Sequence, residues 1–410
     1  MGVGMMKIGI IIAAISLSTG PVLGQSPDSA CLACHSAQTH KAKPNAQVVS
    51  AEALAASVHA TVACTDCHTI EANTPHKGNR AVYCARCHQK EAEGFSQSPH
   101  VKGRESGIEN LPTCIICHGG HEIKAVSDTT SLTNHANSVK ICIRCHESKA
   151  ITDQTGKMPK PAMIKAYENS VHGNALMVKG NKNAPSCVDC HGSHSFLPAD
   201  QPESPIYKTH IAQTCGKCHN EIASTYSGSI HGSSLAQGVI ESPTCTSCHG
   251  EHDIKAPSDT TSRVSPGHVV KTCSDCHTSA KMVAKFGLKP DRIATFKESF
   301  HGAAGELGDT RVANCASCHG VHNIYTQSDP RSMINAANIQ STCGQCHEDL
   351  PADFAKASVH TSATDPASGG EFVVRKFYIW FISILILVFV GYRVLEYKRR
   401  VKRTDMSGRS

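Results

Sequence analysis

Every cysteine in this chain lies in one repeated pattern, C-x-x-C followed at once by histidine, and the 22 cysteines make eleven such motifs. The thiols are Cys31 and Cys34, Cys64 and Cys67, Cys84 and Cys87, Cys114 and Cys117, Cys142 and Cys145, Cys187 and Cys190, Cys215 and Cys218, Cys245 and Cys248, Cys273 and Cys276, Cys315 and Cys318, and Cys343 and Cys346. The histidines that close them are His35, His68, His88, His118, His146, His191, His219, His249, His277, His319 and His347. A zinc ribbon also uses C-x-x-C pairs but needs no histidine after each, and a thioredoxin-like motif occurs once beside a strand–helix pattern. C-x-x-C-H is the attachment sequence of a c-type haem. Two thiols three positions apart can form thioethers to the two vinyl groups of one porphyrin, with the adjacent histidine held beneath the iron as its proximal ligand. The expectation is eleven covalently attached c haems.

That expectation accounts for an otherwise unworkable composition. Aromatic residues make up 5% of the 410 residues, and Trp380 is the only tryptophan. So few large apolar side chains cannot fill an ordinary core of this size. At about thirty residues per haem, the haems themselves would be the interior. The fold class expected is mainly α and irregular loop, packed around haems in repeated dihaem units, with one C-terminal transmembrane helix.

Four motifs continue to a second histidine: CIICHGGH, CVDCHGSH, CTSCHGEH and CASCHGVH contribute His121, His194, His252 and His322. Six further histidines stand in a Ser-x-His context, at His59, His100, His172, His231, His301 and His360. His76 takes the equivalent place between Cys64 and Cys84, so that eleven candidate distal ligands match eleven proximal ones. The four left over, His40, His135, His210 and His268, have no consistent place in that scheme and suit surface groups or propionate partners. The nine methionines, the other common axial ligand, follow no repeat. Bis-histidine ligation with low potentials is therefore expected.

The order Ser-x-His, C-x-x-C-H, His, C-x-x-C-H occurs five times between His59 and Cys343. In the last four occurrences the two haem motifs start 28 residues apart, at 114 and 142, 187 and 215, 245 and 273, and 315 and 343. Such regularity indicates stacked supersecondary units. A histidine one helical turn or less beyond the proximal one, such as His194 beyond His191, shares its side of the porphyrin. It cannot easily reach the far face of its own iron, but it can reach a neighbour's, with Gly192 permitting the sharp backbone. The alternative role for His194 is a hydrogen bond to a propionate or a carbonyl. The Ser-x-His group is expected on helices such as NEIASTYSGSI between His219 and His231, and on loop-plus-helix versions where Pro159, Pro161 and Pro290 interrupt.

With these residues in view the chain resembles the multihaem cytochromes c, particularly the class III-like group with doubled C-x-x-C-H motifs. The recurring CHGxH, the TCxxCH that follows it and the SxHG segments carry the resemblance, over about Cys31 to His360. It implies electron transfer along closely spaced haems. Two departures stand out: the motif at Cys31 is half a unit, and the Cys64–Cys84 spacing is 20.

The ends of the chain concern the membrane. Lys7, an apolar stretch from Ile8 to Leu17 and Val22-Leu23-Gly24 read as a secretory signal over residues 1–24. The haem domain then covers 25–360, a small polar linker 361–372, a transmembrane helix 373–395 and a basic tail 396–410. Tyr378, Trp380 and Tyr392 supply interfacial aromatics, and Arg375, Lys376 and Arg393 can snorkel. By the positive-inside rule the tail is cytoplasmic, which puts the haem domain in the periplasm on a single pass through the inner membrane. The net charge of +6 is concentrated in that tail and gives no indication of nucleic-acid binding.

Two functions suit these features. One is an electron conduit between a quinone-linked membrane partner, such as a cytochrome b, and periplasmic or outer-membrane redox proteins. By resemblance, multihaem cytochromes with a C-terminal span dock on such a membrane subunit; a plain anchor is the alternative. The other is a multihaem reductase of a small nitrogen or sulfur oxyanion, needing one haem with an open distal face. No catalytic residue is assigned from the sequence, and no C-x-x-C-Lys variant is present.

Overall fold

The computed structural model describes residues 29–36, 48–68, 82–149, 151, 153, 161–289, 291–351 and 359–407. The expected signal segment 1–24, His40 and the candidate ligand His76 lie outside the described residues. The chain falls into two compact units, Met1–Cys142 and Ile143–Ser410. Both are built from short helices and turns. Among the described residues there is no strand, only an isolated antiparallel bridge between His68 and Val82.

The helices are short for local reasons. The first haem motif of a pair makes little more than one helical turn, as in Cys114–His118, Cys187–His191, Cys245–His249 and Cys315–His319. Each is stopped by the glycine that follows, at φ +88 for Gly119, +81 for Gly192, +85 for Gly250 and +86 for Gly320. With ψ near 180° at all four, this is backbone that only glycine adopts readily. The expected sharp turn after C-x-x-C-H is thus present, and it aims the next histidine away from its neighbour.

The helices that lead into the second motifs start differently. Asn137, His210, His268 and Asn338 each hydrogen-bond the carbonyl of a buried serine, at Ser131, Ser204, Ser262 and Ser332, over 2.9–3.1 Å. Thr214, Thr272 and Thr342, which precede the cysteines, donate to the carbonyls of Pro205, Arg263 and Met333. These bonds explain why threonine recurs in TCxxCH.

Ser170, Ser229 and Ser299 cap the Ser-x-His helices, accepting from the backbone N–H of Gly173, Gly232 and Gly302 at 3.0, 3.2 and 3.3 Å. Such a cap contributes ~1 kcal/mol. The glycines are required by close approach: a Cβ there would sit 2.0, 2.2 and 2.1 Å from the carbonyl oxygens of Tyr167, Tyr226 and Phe296. The segment expected as one helix between His219 and His231 is therefore two, Asn220–Ser227 and Ile230–Ala236, broken at the cap. Between His277 and His301 the chain likewise forms Ala280–Phe286 and Asp291–Glu298 before Phe300–Glu306.

Only seven hydrophobic side chains are buried among the described residues: Leu111, Val139, Leu176, Ala184, Ile211, Leu235 and Phe296. The buried polar residues are all serine and threonine. No side-chain core of that size holds a domain together, so the interior belongs to something the polypeptide surrounds.

The C-terminal helix runs Gly370–Ser407, longer at both ends than the span read from the sequence. Its 38 residues reach ~57 Å, against a bilayer core of ~30 Å. No part of the apolar stretch Gly370–Val401 is buried against the rest of the protein. It is one helix long and apolar enough to anchor the chain in a membrane.

Candidate haem-binding sites

Each haem motif presents its proximal histidine from a helix end, and eight of these imidazoles face a second imidazole. His68 faces His121, His191 faces His252 and His249 faces His322, each with ring centres 6.0 Å apart. His319 faces His360 at 6.3 Å. His88 faces His59 and His347 faces His301 at 6.0 Å, His219 faces His172 at 6.2 Å, and His277 faces His231 at 6.4 Å. Every pair joins a histidine of C-x-x-C-H to one of the distal candidates.

That separation tests the fit of an iron. Two metal–imidazole bonds of ~2.0–2.1 Å plus roughly 1.1 Å from each nitrogen to its ring centre add up to ~6.2 Å. The observed 6.0–6.4 Å matches two imidazoles placed on opposite faces of one iron. In each pair one ring belongs to a C-x-x-C-H motif, so its two thiols are neighbours in sequence of that imidazole, as thioether attachment needs. Among the described residues no three His, Cys, Asp or Glu side chains converge as in a zinc site. The donor sets therefore fit covalently bound haem c rather than structural zinc.

The pairing follows a rule. CHGxH histidines serve the haem motif of the preceding pair: His252 and His322 face histidines that come one CHGxH earlier. Ser-x-His histidines serve the second motif of the pair that follows them. The two carriers that bracket one pair are joined by a backbone hydrogen bond: Val58 N–H to Ile123 O, Val171 N–H to Ile254 O and Ile230 N–H to Ile324 O, at 2.8–2.9 Å. Ring planes are flatter on average at first motifs than at second ones, with the two ranges overlapping. In the first motif of a pair they lie 32°, 10°, 17° and 41° apart, and in the second 64°, 35°, 63° and 52°.

Burial, reinforced by the facing ring, holds His191 and His231 down at about 4. Burial also lowers His172, His277 and His319. These imidazoles are neutral at pH 7, the form that coordinates a metal.

Successive sites adjoin. In the second unit Cys190 lies within electrostatic reach of Cys215 and Cys218, Cys248 of Cys276, and Cys318 of Cys343 and Cys346. Cys215 lies beside Cys245, and Cys273 beside Cys315, linking one pair to the next. In the first unit His35 lies near His68, Cys67 near Cys87, and Cys84 near Cys114. Attachment sites are thus strung without a gap from Cys187 to Cys346, and again from His35 to Cys114.

Of the remaining candidates, His100 lies in helix Pro99–Glu105, His118 ends Cys114–His118 and His146 ends His135–His146. His194 stands in the turn beyond Gly192, its Nδ1 3.4 Å from Ser193 Oγ. The resident imidazole His191 is already faced by His252, so His194 is surplus to the site at Cys187 and Cys190. His210 and His268 are braces, donating to Ser204 and Ser262 carbonyls where other repeats use asparagine. The sequence carried that signal: all four braces stand five residues before a cysteine. His135 opens its helix.

No family model matches the chain. Over 118 residues it is 29% identical to the cytochrome c nitrite reductase subunit NrfH of Nitratidesulfovibrio vulgaris, a match that covers 26% of this chain and 65% of that protein. The chain therefore spans less than two thirds of the length of that relative.

Proposed function

We propose that this chain, a membrane-anchored multihaem cytochrome c, is an electron conduit between a quinone-linked membrane partner and periplasmic or outer-membrane redox proteins. The observation that carries the reading is the set of imidazole pairs about one iron's width apart, strung through each unit with no interruption. Haem c supplies one-electron iron centres when bound. The protein's part is to hold the attachment motifs close together within each unit, cap the irons from both faces and exclude water from the imidazoles. Closed bis-histidine sites favour transfer over bond chemistry, because a substrate needs an open distal position.

The C-terminal helix supports a link to the membrane, and its basic end a cytoplasmic tail with the haem sites on the periplasmic side. The likeness to a protein named as a subunit of a nitrite reductase supports a redox enzyme as the partner on that side.

Electron paramagnetic resonance on the oxidised, purified protein, with haem content measured on the same sample, tests this reading. Eleven haems, all low-spin, are expected. A stoichiometric high-spin signal that shifts on adding nitrite, hydroxylamine or sulfite would overturn it in favour of a reductase.

A further inference from the structure

The repeat at Cys315 is followed by the membrane helix and not directly by another CHGxH motif, and His360 takes the place such a motif's histidine would have. In interior repeats the carrier of a CHGxH ligand is braced by a backbone hydrogen bond to the Ser-x-His carrier, as Ile254 is to Val171 and Ile324 to Ile230. The first site of the final pair, at Cys315 and Cys318, is faced instead by His360, which belongs to no C-x-x-C-H motif. Two side chains from helix Asp291–Glu298 hold it. Arg292 Nη1 donates to the His360 carbonyl at 3.1 Å. Thr295 Oγ1 lies 3.3 Å from His360 Nδ1, and its own hydroxyl proton goes to the Arg292 carbonyl at 3.0 Å. Thr295 therefore accepts from Nδ1–H, which leaves Nε2 as the lone-pair nitrogen facing His319. Thr295 is itself buried.

The register of this helix supports a dedicated role. Counted back from the Ser-x-His serine, the position of Arg292 is Met163 in one interior repeat and Ile222 in the next. A guanidinium appears where the chain beyond His360 turns away into the membrane helix, with nine residues between His360 and Gly370. Those residues run through consecutive turns, Asp365 N–H to Ser362 O and Ser368 N–H to Asp365 O, so the anchor is held close behind the ligand.

We infer that Arg292 and Thr295 are positioning residues for His360: they set its tautomer and ring plane, and they latch the membrane-anchored segment to the haem site at Cys315 and Cys318. The inference rests on the electron-conduit reading, in which His360 is an axial ligand. An outer partner of this kind fixes ring orientation and raises ligand basicity, and its loss typically costs 10–100-fold in ligation.

The test uses the full-length haem-loaded protein. His360→Ala establishes the ligand reading: one iron equivalent becomes high-spin, and the reduced protein binds one equivalent of carbon monoxide. Thr295→Val combined with Arg292→Leu keeps the ligand but removes the latch. Carbon monoxide is expected to displace His360 from that one site about tenfold faster than in the parent, with haem content unchanged, and Thr295→Ser to restore the parent rate. If His360→Ala leaves every haem low-spin, the ligand reading fails. If His360→Ala opens a site but the double variant binds carbon monoxide at the parent rate, the latch alone is refuted. A double variant that loses haem is replaced by Thr295→Val alone, read in the same way.

Discussion

His191 and His252 face each other across 6.0 Å with their planes 10° apart, although they belong to two successive CHGxH motifs. In three of the four such motifs, His121, His252 and His322 likewise face the imidazole of an earlier haem motif. His252→Ala should open the site at Cys187 and Cys190, not the one at Cys245 and Cys248 that His252 follows. One iron equivalent of high-spin signal is expected, and it should vanish when Cys187 and Cys190 are also replaced by alanine. By the same logic His194→Met should shift the potential of a haem other than its resident; a change confined to the haem at Cys187 and Cys190 would refute the reach-back rule.

The ring planes span a range, from 10° and 17° for His191/His252 and His249/His322 to 63° and 64° for His231/His277 and His59/His88. The oxidised protein should show two kinds of low-spin resonance, one from near-parallel and one from strongly crossed imidazoles. His231→Ala should remove intensity from the second kind only. A single kind of signal throughout would mean that the ring planes are set by the porphyrins and not by the polypeptide.

Gly232→Ala would place a Cβ 2.2 Å from the Tyr226 carbonyl oxygen. Relief requires shifting the two helices that meet at Ser229, at about 1–3 kcal/mol, with His231 displaced from its partner. Thermal unfolding and haem content of the variant report both effects. Gly267→Ala, where nothing lies within 4 Å, serves as the matched control and should behave as the parent.

His268 donates to the Ser262 carbonyl in the place where Asn338 serves the next repeat. His268→Asn should keep the parent's stability and its full set of low-spin haems. His268→Leu removes one donor from the Ser262 carbonyl, which keeps the Ser265 N–H and Oγ–H, and should cost about 0.5–1.5 kcal/mol, again with no new high-spin signal. A high-spin haem in either variant would show that His268 is a ligand after all.

Much of the site was legible because thioether chemistry imposes its spacing on the chain. C-x-x-C-H named the attachment residues, and the recurrence of CHGxH and Ser-x-His named distal candidates, eight of which face a proximal imidazole. What the sequence hid was the role of residues judged only by type. His210 and His268 look like spare ligands until their rings are seen on serine carbonyls. The break at Gly228 and Ser229 falls on a Ser-Gly-Ser run, a turn and N-cap signal that the one-helix expectation passed over, and the bond from Gly232 N–H to Ser229 marks where the second helix begins.

The sequence by itself determined that the chain holds haems, how many attachment motifs it has, which residues form them and where a membrane helix lies. These follow from covalent reach and from hydropathy, both properties of neighbours in the chain. Which histidine meets which was decided only by the tertiary structure. His360 and His319 lie 41 residues apart and meet because Arg292 and Thr295, from a third segment, hold one against the other. Spacing along the chain states what a residue can reach locally; a sixth ligand comes from the far face, so its identity depends on how separate turns pack around the interior they share.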